Sequence, residues 1–450
     1  ICMASRASVL TGKYEYKTGC NFEHGHLVQS LWQESYPVLL RKAGYSTAIA
    51  GKIGLEIADG PNGEGRLPVV DFDRWGAGPG QTHYRTAKNP SVAQYADEYP
   101  HSSRAYGAFG RDFILESVAD NPEKPFCLSI SFKAPHMPDT PDPAFDDVYK
   151  GKTFQKPANF GRDKGKHFSL QSRQGRQFGR FYSWGYAERY DEVMARYHQL
   201  IYGVDVAVGV IRKALVEAGV AENTVIVFSS DNGFLCGSHG YGSKVLPYEE
   251  SSRVPLIVYD PRHSSRGRGL RCRALTGNVD FAPTFLELAG LTVPESMDGK
   301  SLLPFLDDPV NTTTHKALPL INVWGPAKVF SFGVVTRDCK YIYWPWAEGE
   351  FEASDELYQL SENRLELTNS IADPGKQEVL ARMRKHYDDA LAEWKSEAVD
   401  FHGYRPFGDF FDRGVSWEEK KTALSSDKRL KSKLNRSKPN RKSRAKKNAR

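Results

Sequence analysis

Two adjoining stretches of the sequence decide the fold: residues 192–219, EVMARYHQLIYGVDVAVGVIRKALVEAG, and residues 224–233, TVIVFSSDNG. The first stretch predicts a long amphipathic helix, because apolar residues recur near helical spacing at Leu200, Val204, Val208, Ile211 and Leu215. The second stretch is rich in β-branched residues and predicts a strand over residues 224–230. A helix followed at once by such a strand is the repeating unit of an α/β sheet.

The same alternation of helix and strand extends over most of the chain before residue 318. Helical patterns cover residues 36–44, 111–120 and 279–289, and strand patterns cover residues 45–50, 125–132 and 254–259. We expect the strand at 125–132 to be buried, and the whole to form an α/β core with a largely parallel sheet. Two excursions, 57–110 and 151–190, are rich in Gly, Pro, Arg and Tyr and are expected to shape a binding site.

The pattern changes after about residue 318. Residues 329–336 and 340–344 are predicted as paired strands, residues 356–360 as a possible third strand, and residues 377–397 as a helix. We therefore divide the chain into a catalytic domain, 1–318, a small C-terminal α+β subdomain, 319–400, and an extension, 401–450.

Charge is distributed unevenly along the chain. Residues 428–450 hold twelve Lys and Arg and no acid, so the remaining 427 residues carry 49 bases against 55 acids, a charge of −6. The basic tail is predicted to be disordered and solvated, with polyanion binding as the alternative. The acidic body gives no reason to expect specific nucleic-acid binding. No apolar run approaches 18 residues, so no membrane span is expected.

Asp231 and Asn232 follow directly after the predicted strand at 224–230. Ligands of open α/β sheets collect at the carboxyl ends of strands. Carboxylate and amide oxygens suit Ca²⁺, or less readily Mg²⁺, rather than zinc. Asp-Asn-Gly is also good turn chemistry, so a simple turn is the alternative.

Three further basic side chains follow predicted strands or a glycine-rich loop. Lys52 comes after the strand at 45–50, His136 comes after the strand at 125–132, and Lys244 ends the loop GSHGYGSK that contains His239. Each alone is as consistent with a turn as with a site. Together with the Asp-Asn pair they predict an anion site beside a divalent cation, suited to sulfuryl or phosphoryl transfer.

Cys2 lies at the start of the segment Cys2-Met3-Ala4-Ser5-Arg6, and we expect a helix to begin near Ser5. A group at a helix N-terminus feels the positive end of the dipole, so an activated thiolate is one interpretation. The other cysteines are scattered and form no disulfide framework, although one or two bridges are possible: Cys20, Cys127, Cys236, Cys272 and Cys339.

The pattern Cys2-x-Ala4-x-Arg6, followed by Leu10-Thr11-Gly12, resembles the signature of the type I, formylglycine-dependent sulfatases. The commoner form has Pro in place of Ala4. Further segments resemble family motifs in the family's order: Gly51-Lys52, Lys133-Ala134-Pro135-His136, Ser230-Asp231-Asn232-Gly233, Lys244 with residues 248–257, residues 280–284, residues 299–302, and residues 356–358 with 366–369.

The resemblance implies an alkaline phosphatase-like fold: a mixed, largely parallel sheet between helices, with a small C-terminal sheet. It implies that Cys2 is oxidised to formylglycine, whose hydrate attacks sulfur, and that Arg6 stabilises this hydrate. Lys52, His136 and Lys244 would bind sulfate, with His136 assisting the leaving oxygen, and Asp231 and Asn232 would bind Ca²⁺. It further implies a formylglycine-generating maturation enzyme as partner and a periplasmic or secreted location. The Arg, Tyr and Trp residues of the excursions at 57–110 and 151–190 favour a sulfated carbohydrate over a small aryl sulfate as substrate.

Two departures from the family pattern matter. The chain opens at Ile1, so we expect the opening strand and its two metal carboxylates to be missing, and we expect poor Ca²⁺ binding and an inactive chain. The family motif Gly-Lys-x-His is Gly51-Lys52-Ile53-Gly54 here, so the base for elimination is absent. His24, His26 or His239 could replace it, with His239 favoured. The alternatives are a phosphomonoester or phosphodiester hydrolase, or a non-catalytic protein that binds sulfated glycans.

Overall fold

The computed structural model describes residues 2–436, with side chains described to residue 434. Its α-helices are α1 (Cys2–Thr11), α2 (Glu15–Thr18), α3 (Gln29–Trp32), α4 (Tyr36–Lys42), α5 (Ser102–Asp120), α6 (Arg176–Ser183), α7 (Tyr190–Glu217), α8 (Glu249–Ser252), α9 (Phe281–Leu288), α10 (Pro304–Asp307), α11 (Gln377–Glu397), α12 (Arg405–Phe410), α13 (Trp417–Ser426) and α14 (Lys428–Arg436). Within these residues, every helix is too short or too polar to cross a lipid bilayer.

The strands are β1 (Leu27–Val28), β2 (Ser46–Lys52), β3 (Ile57–Ala58), β4 (Arg74–Gly78), β5 (Phe126–Ser131), β6 (Ile226–Ser229), β7 (Leu256–Tyr259), β8 (Leu318–Asn322), β9 (Ser331–Val335), β10 (Cys339–Trp344) and β11 (Ser354–Gln359). In the core, β2 pairs in parallel with both β4 and β5, whereas β6 and β7 pair antiparallel. The prediction of an α/β core with a mixed sheet is therefore confirmed.

Helices α5 and α7 pack together over the β4-β2-β5 sheet. The apolar face of α7 is buried as its spacing predicts, with Leu200, Val204 and Leu215 inside. Helix α5 begins at Ser102, nine residues before the predicted start, and its first turn is capped by the side chain of His101. The two helices approach closely because Gly107 faces Ala207, where a Cβ would lie 3.0 Å from the Ala207 backbone.

The prediction that the strand at 125–132 is buried is wrong. Every residue of β5 is partly exposed, because among the described residues this strand pairs only with β2. The β6-β7 pair is likewise open on one face, where Phe228, Ile257 and Tyr259 are exposed. Polar or charged residues lie at the carboxyl ends of β2, β5 and β6, where the candidate site lies.

The C-terminal sheet has the order β11-β10-β9-β8, and every pairing in it is antiparallel. The three predicted strands are present, and β8 adds a fourth that the sequence pattern did not predict. Helix α11 packs across β9 and β10, as an amphipathic helix on one face of a sheet.

Residues 401–436 belong to the core of this C-terminal unit. Helices α12 and α13 contribute Phe407, Phe410 and Leu424 to the same apolar cluster as the sheet. Residues 428–436, which we expected in a disordered tail, form α14 instead, because Leu430 and Leu434 are buried in that cluster. The rest of the predicted tail, 437–450, lies outside the described residues.

Candidate active site

The residues predicted at the strand ends converge on Cys2. The ammonium of Lys244 donates a hydrogen bond to Cys2 Sγ at 3.3 Å. Arg6 Nε donates to Asp231 Oδ2 at 2.8 Å, and Nη1 of the same guanidinium donates to the backbone carbonyl of Lys52. Cys2, Arg6, Lys52, Asp231 and Lys244 therefore form one connected cluster, although 242 residues separate the first from the last.

Local backbone geometry brings these groups together. Helix α1 already includes Cys2, so it begins at least three residues before the predicted start, and Arg6 lies one turn further on. Lys52 is the last residue of β2 and follows Gly51, whose φ is +89°. A Cβ at position 51 would lie 2.1 Å from the Ser131 carbonyl oxygen, so only glycine allows β2 and β5 to approach this closely beside the site.

The electrostatics of the cluster favour an anion. Burial raises the pKa of the Cys2 thiol, but Lys244 and then Lys52 outweigh it and lower that pKa from 9.0 to about 7. Burial, and then the neighbouring charge of Arg6, lowers the pKa of Lys52 to about 8. For Asp231, burial is outweighed by Arg6, Lys244 and Lys52, and its pKa falls well below the ordinary range. One carboxylate thus faces three cations.

His136 faces the same cavity as Cys2 and Lys244. Its Nδ1 bonds to the carbonyl of Met137, and Tyr84 donates a hydrogen bond to the His136 carbonyl at 2.6 Å. Burial, and then the charges of Lys244 and Lys52, lower the pKa of His136 to about 3. The imidazole is therefore neutral near pH 7. It can donate a proton only when an anion beside it raises its pKa.

Asn232 and Asp231 offer oxygen ligands to a cation. Asn232 Oδ1 is buried without a hydrogen-bond partner, while Nδ2 of the same side chain donates to the Gly233 carbonyl. Asn278 fixes the turn by donating to the Asp231 carbonyl at 3.0 Å. An orphaned amide oxygen beside a carboxylate fits a hard divalent cation such as Ca²⁺ or Mg²⁺.

His239 does not join this cluster, contrary to the sequence prediction. Its ring is buried against Phe168, Nδ1 bonds to the Lys164 carbonyl at 3.0 Å, and Nε2 faces the Asn159 side chain at 3.0 Å. Candidate ligand atoms of His239, Glu250 and Glu366 lie within 4.8 Å of one another. However, Glu366 is already held by Lys340 and by the Glu249 amide.

The other two histidines proposed to replace the missing base are also elsewhere. His24 is buried between the carbonyls of His402 and Val323, and His26 lies 3.5 Å from Glu56. Position 54 itself borders the cluster, since a Cβ on Gly54 would lie 2.6 Å from Cδ of Arg6. Arg6 therefore occupies the space that a side chain at position 54 would need.

The cavity above Cys2 has a volume of about 720 Å³. Its wall includes four residues that the sequence analysis did not name: Arg176, Arg180, Trp184 and Trp324. Three of them come from the excursion at 151–190, which was expected to shape a site, and Gln81 comes from the excursion at 57–110. Their spacing along the sequence does not mark them as site residues, because tertiary contacts alone place α6 against the cavity.

Comparison with known proteins identifies the family of this fold and cluster. A model of the sulfatase family matches residues 1–291, and a model described as N-sulphoglucosamine sulphohydrolase, C-terminal, matches residues 237–393. The chain belongs to the sulfatase family.

Two curated relatives illustrate the similarity. The chain is 27% identical over 461 residues to the N-acetylglucosamine-6-O-sulfatase of Bacteroides thetaiotaomicron, covering 88% of this chain and 78% of the relative. It is 26% identical over 420 residues to an arylsulfatase of Clostridium perfringens, covering 85% of this chain and 83% of the relative.

Solved structures share the fold. One, in complex with its substrate D-glucosamine-2-N,6-O-disulfate, has a TM-score of 0.68 and 23% identity, covering 89% of this chain and 90% of that one. The phosphonate monoester hydrolase of Silicibacter pomeroyi has a TM-score of 0.66 and 20% identity, covering 89% and 87%. The expected alkaline phosphatase-like fold is thereby confirmed.

Proposed function

We propose that the protein hydrolyses sulfate esters of sulfated glycans, and that its nucleophile is formylglycine made by oxidation of Cys2. One observation carries the proposal: Cys2 is buried beneath the cavity, with the Lys244 ammonium 3.3 Å from its sulfur and Lys52 and Arg6 in the same cluster. Cations around a reacting group stabilise an anionic sulfuryl transition state. A formylglycine hydrate at this position would supply the attacking oxygen.

The residues around Cys2 have different roles in the proposed reaction. Lys52, Lys244 and His136 bind the sulfate group, and Arg6 orients the group at position 2 while it neutralises Asp231. A bound sulfate would offset the charges of Lys52 and Lys244 that hold down the pKa of His136. His136 would then become protonated and could pass its proton to the leaving oxygen.

A divalent cation, Ca²⁺ rather than Mg²⁺, is the proposed metal. Asp231 would supply a carboxylate oxygen, and Asn232 would supply the buried amide oxygen that has no partner. The cation would add positive charge beside the sulfuryl oxygens. We expect Ca²⁺ to raise the thermal unfolding temperature of the protein and to have no such effect on the Asn232→Leu variant.

A sulfated carbohydrate is the proposed substrate. The relative in Bacteroides thetaiotaomicron is named for N-acetylglucosamine sulfate, and the cavity wall offers the exposed ring of Phe22, which can stack on a sugar. We further propose a maturation enzyme that acts on Cys2 and a location outside the cytoplasm, which is supported by similarity to an extracellular sulfatase of Drosophila melanogaster.

The decisive experiment combines mass spectrometry and kinetics on the full-length protein produced with a formylglycine-generating enzyme. We expect the Cys2 peptide to carry the aldehyde, and kcat/KM to be higher for sulfate esters than for matched phosphate esters. Unmodified Cys2 in active protein would refute the nucleophile. A clear preference for phosphate would indicate a phosphoester hydrolase, and binding of sulfated glycan without turnover would indicate a non-catalytic relative.

A further inference from the structure

The cavity above Cys2 has more positive charge than its own acids neutralise. Its wall contains five permanent cations, Arg176, Arg180, Arg189, Arg196 and Lys244, and two acids, Asp139 and Glu192. Arg189 pairs with Glu192 at 3.2 Å, and Arg196 pairs with Asp139 at 3.1 Å. Lys244 bonds to Cys2. Arg176 and Arg180 remain, and within the described residues neither is in ion-pair distance of a carboxylate.

Both of these arginines are held in place by aromatic rings. The Arg176 guanidinium carbon lies 4.1 Å from the ring centroid of Trp324, and that of Arg180 lies 4.2 Å from the ring centroid of Trp184. Trp184 is itself stacked on Phe234. Stacking uses the face of a guanidinium and leaves its N–H edge available for a planar or tetrahedral oxyanion.

Arg180 is also connected to the reaction centre. Its Nη1 donates to the Ser243 hydroxyl at 2.8 Å, and Ser243 precedes Lys244, which contacts Cys2. Arg176 lies within electrostatic range of the site, since Glu23 and then Cys2 act to raise its pKa against the effect of burial. A sugar whose sulfate lies at Cys2 can therefore extend toward both guanidinium groups.

The arrangement is unfavourable without a ligand. Arg176 and Arg180 are four residues apart on α6, so the two like charges share one face of the helix and repel each other. Burial, and then the charge of Arg176, lower the pKa of Arg180 to about 10. Two cations in a cavity that have no carboxylate within ion-pair distance among the described residues are stabilised when a second anion arrives.

We propose that Arg176 and Arg180 form a second anion subsite, so that the preferred substrate is a sugar with a second negative group beside the sulfate ester that is cleaved. The inference rests on the proposed sulfatase function and specifies its substrate class. The second group is a sulfate or a carboxylate, since a guanidinium recognises both with paired hydrogen bonds.

The test compares Arg176→Gln and Arg180→Gln with the wild type on four substrates: glucosamine with two sulfates, glucosamine with one sulfate, a singly sulfated disaccharide with a uronic acid, and an aryl sulfate. Each variant should lower kcat/KM about tenfold on doubly anionic sugars. On the singly anionic substrates the loss should stay below about threefold. The disulfate and uronate arms separate a sulfate-specific from a carboxylate-specific subsite.

The matched control is Arg212→Gln, an identical change at an exposed position on α7. It should change kcat/KM for neither class of substrate, and circular dichroism spectra that match the wild type would show that the α6 variants are folded. Equal losses on singly and doubly anionic substrates, or no loss on either, would overturn the subsite while leaving the sulfatase function intact.

A failure of the proposed function has a different outcome. If the wild type hydrolyses no sulfate ester, titration calorimetry with the Cys2→Ala protein tests whether the subsite exists. The disulfated glucosamine should then bind about tenfold more tightly than the monosulfated one, and Arg176→Gln should abolish that difference. Equal affinities for the two sugars would overturn the subsite as well.

Discussion

Two buried clusters of charged side chains in this protein contain similar residue types in a different balance of cations and carboxylates. In the cluster at Cys2, three cations, Arg6, Lys52 and Lys244, surround one carboxylate, Asp231. In the second cluster, Lys340 is completely buried and lies 2.7 Å from Glu366 and 2.9 Å from Glu249. These two carboxylates hold the pKa of Lys340 above its ordinary value despite burial.

The difference indicates which cluster awaits a ligand. In the second cluster Arg364 also lies 3.8 Å from Glu249, so two cations face two carboxylates. These ion pairs tie α8 to β10 and to the loop around residue 366, and they stabilise the native structure. The cluster at Cys2 has a surplus of cations, which lowers the pKa of both the Cys2 thiol and the His136 imidazole. Residue type alone does not identify a site, whereas an unbalanced charge does.

The largest effect is expected for a substitution of Cys2, at the centre of the cluster with surplus cations. Cys2→Ala removes the nucleophile and should reduce kcat by about 10⁴-fold or more, as nucleophile deletions do in other hydrolases. Steady-state kinetics on an aryl sulfate ester measures this loss. Cys272→Ala, the same change at an exposed cysteine, should retain wild-type activity. Comparable turnover in the two variants would contradict the assignment.

Next in size is a change in the second cluster. Lys340→Met removes the buried ammonium group that contacts Glu249 and Glu366, and it should lower the free energy of unfolding by about 3–5 kcal/mol. Urea denaturation measures the loss, and Lys213→Met, at an exposed position on α7, is the control. The pKa of the Cys2 thiol should not change. A shift in that pKa would show that the two clusters are coupled.

A smaller effect is expected for Lys244. Lys244→Met should reduce kcat/KM by about 10²-fold, because it removes one preorganised charge from the sulfuryl group. In protein with unmodified Cys2 it should also raise the thiol pKa from about 7 toward 9.0, since Lys244 is the strongest influence that lowers it. The pH dependence of Cys2 alkylation measures this shift. An unchanged alkylation profile would mean that Lys52, and not Lys244, holds the pKa of the thiol down.

The smallest expected effect is a difference between two histidines in how their pKa responds to sulfate, and it requires no mutation. Burial is the first cause that lowers the pKa of His136 to about 3 and that of His239 to about 4. Inorganic sulfate bound at Lys52 and Lys244 should raise the pKa of His136, because a nearby anion favours the charged imidazolium. The pKa of His239 should not move. Histidine titration by NMR with and without sulfate tests this, and equal shifts would place both rings at one site.

Sequence reasoning succeeded where a feature depends on neighbours along the chain. The helices over α4, α7, α9 and α11 follow from apolar periodicity. The ends of β2, β5 and β6 follow from the change from apolar to polar residues. Because β2 and β5 are neighbouring parallel strands, the proximity of Lys52 and His136 could also be predicted. Asp231 follows β6, which among the described residues pairs only with β7, so a shared sheet edge does not account for its position.

Features that depend on distant partners could not be predicted. His239 adopts a positive φ of 53° and bonds to Lys164 and Asn159, which lie about 80 residues away in the chain. Arg176 and Arg180 face the cavity beside Trp324 and Trp184, and their guanidinium groups stack on these two rings. The sequence shows that Gly54 stands where the family motif has histidine. It does not show that Arg6 occupies the space that a side chain at position 54 would need.

Helix α14 has a practical consequence for handling the protein. Arg429 donates to the His24 carbonyl at 2.8 Å, and Lys433 pairs with Glu23, which also accepts from the Gly325 amide at 2.8 Å. These contacts adjoin Phe22 and Trp324 on the cavity rim. An expression plasmid that stops before residue 428, or a fusion partner that displaces α14, would therefore alter the rim itself. Substrate profiles should be recorded on protein whose C-terminal helix is intact.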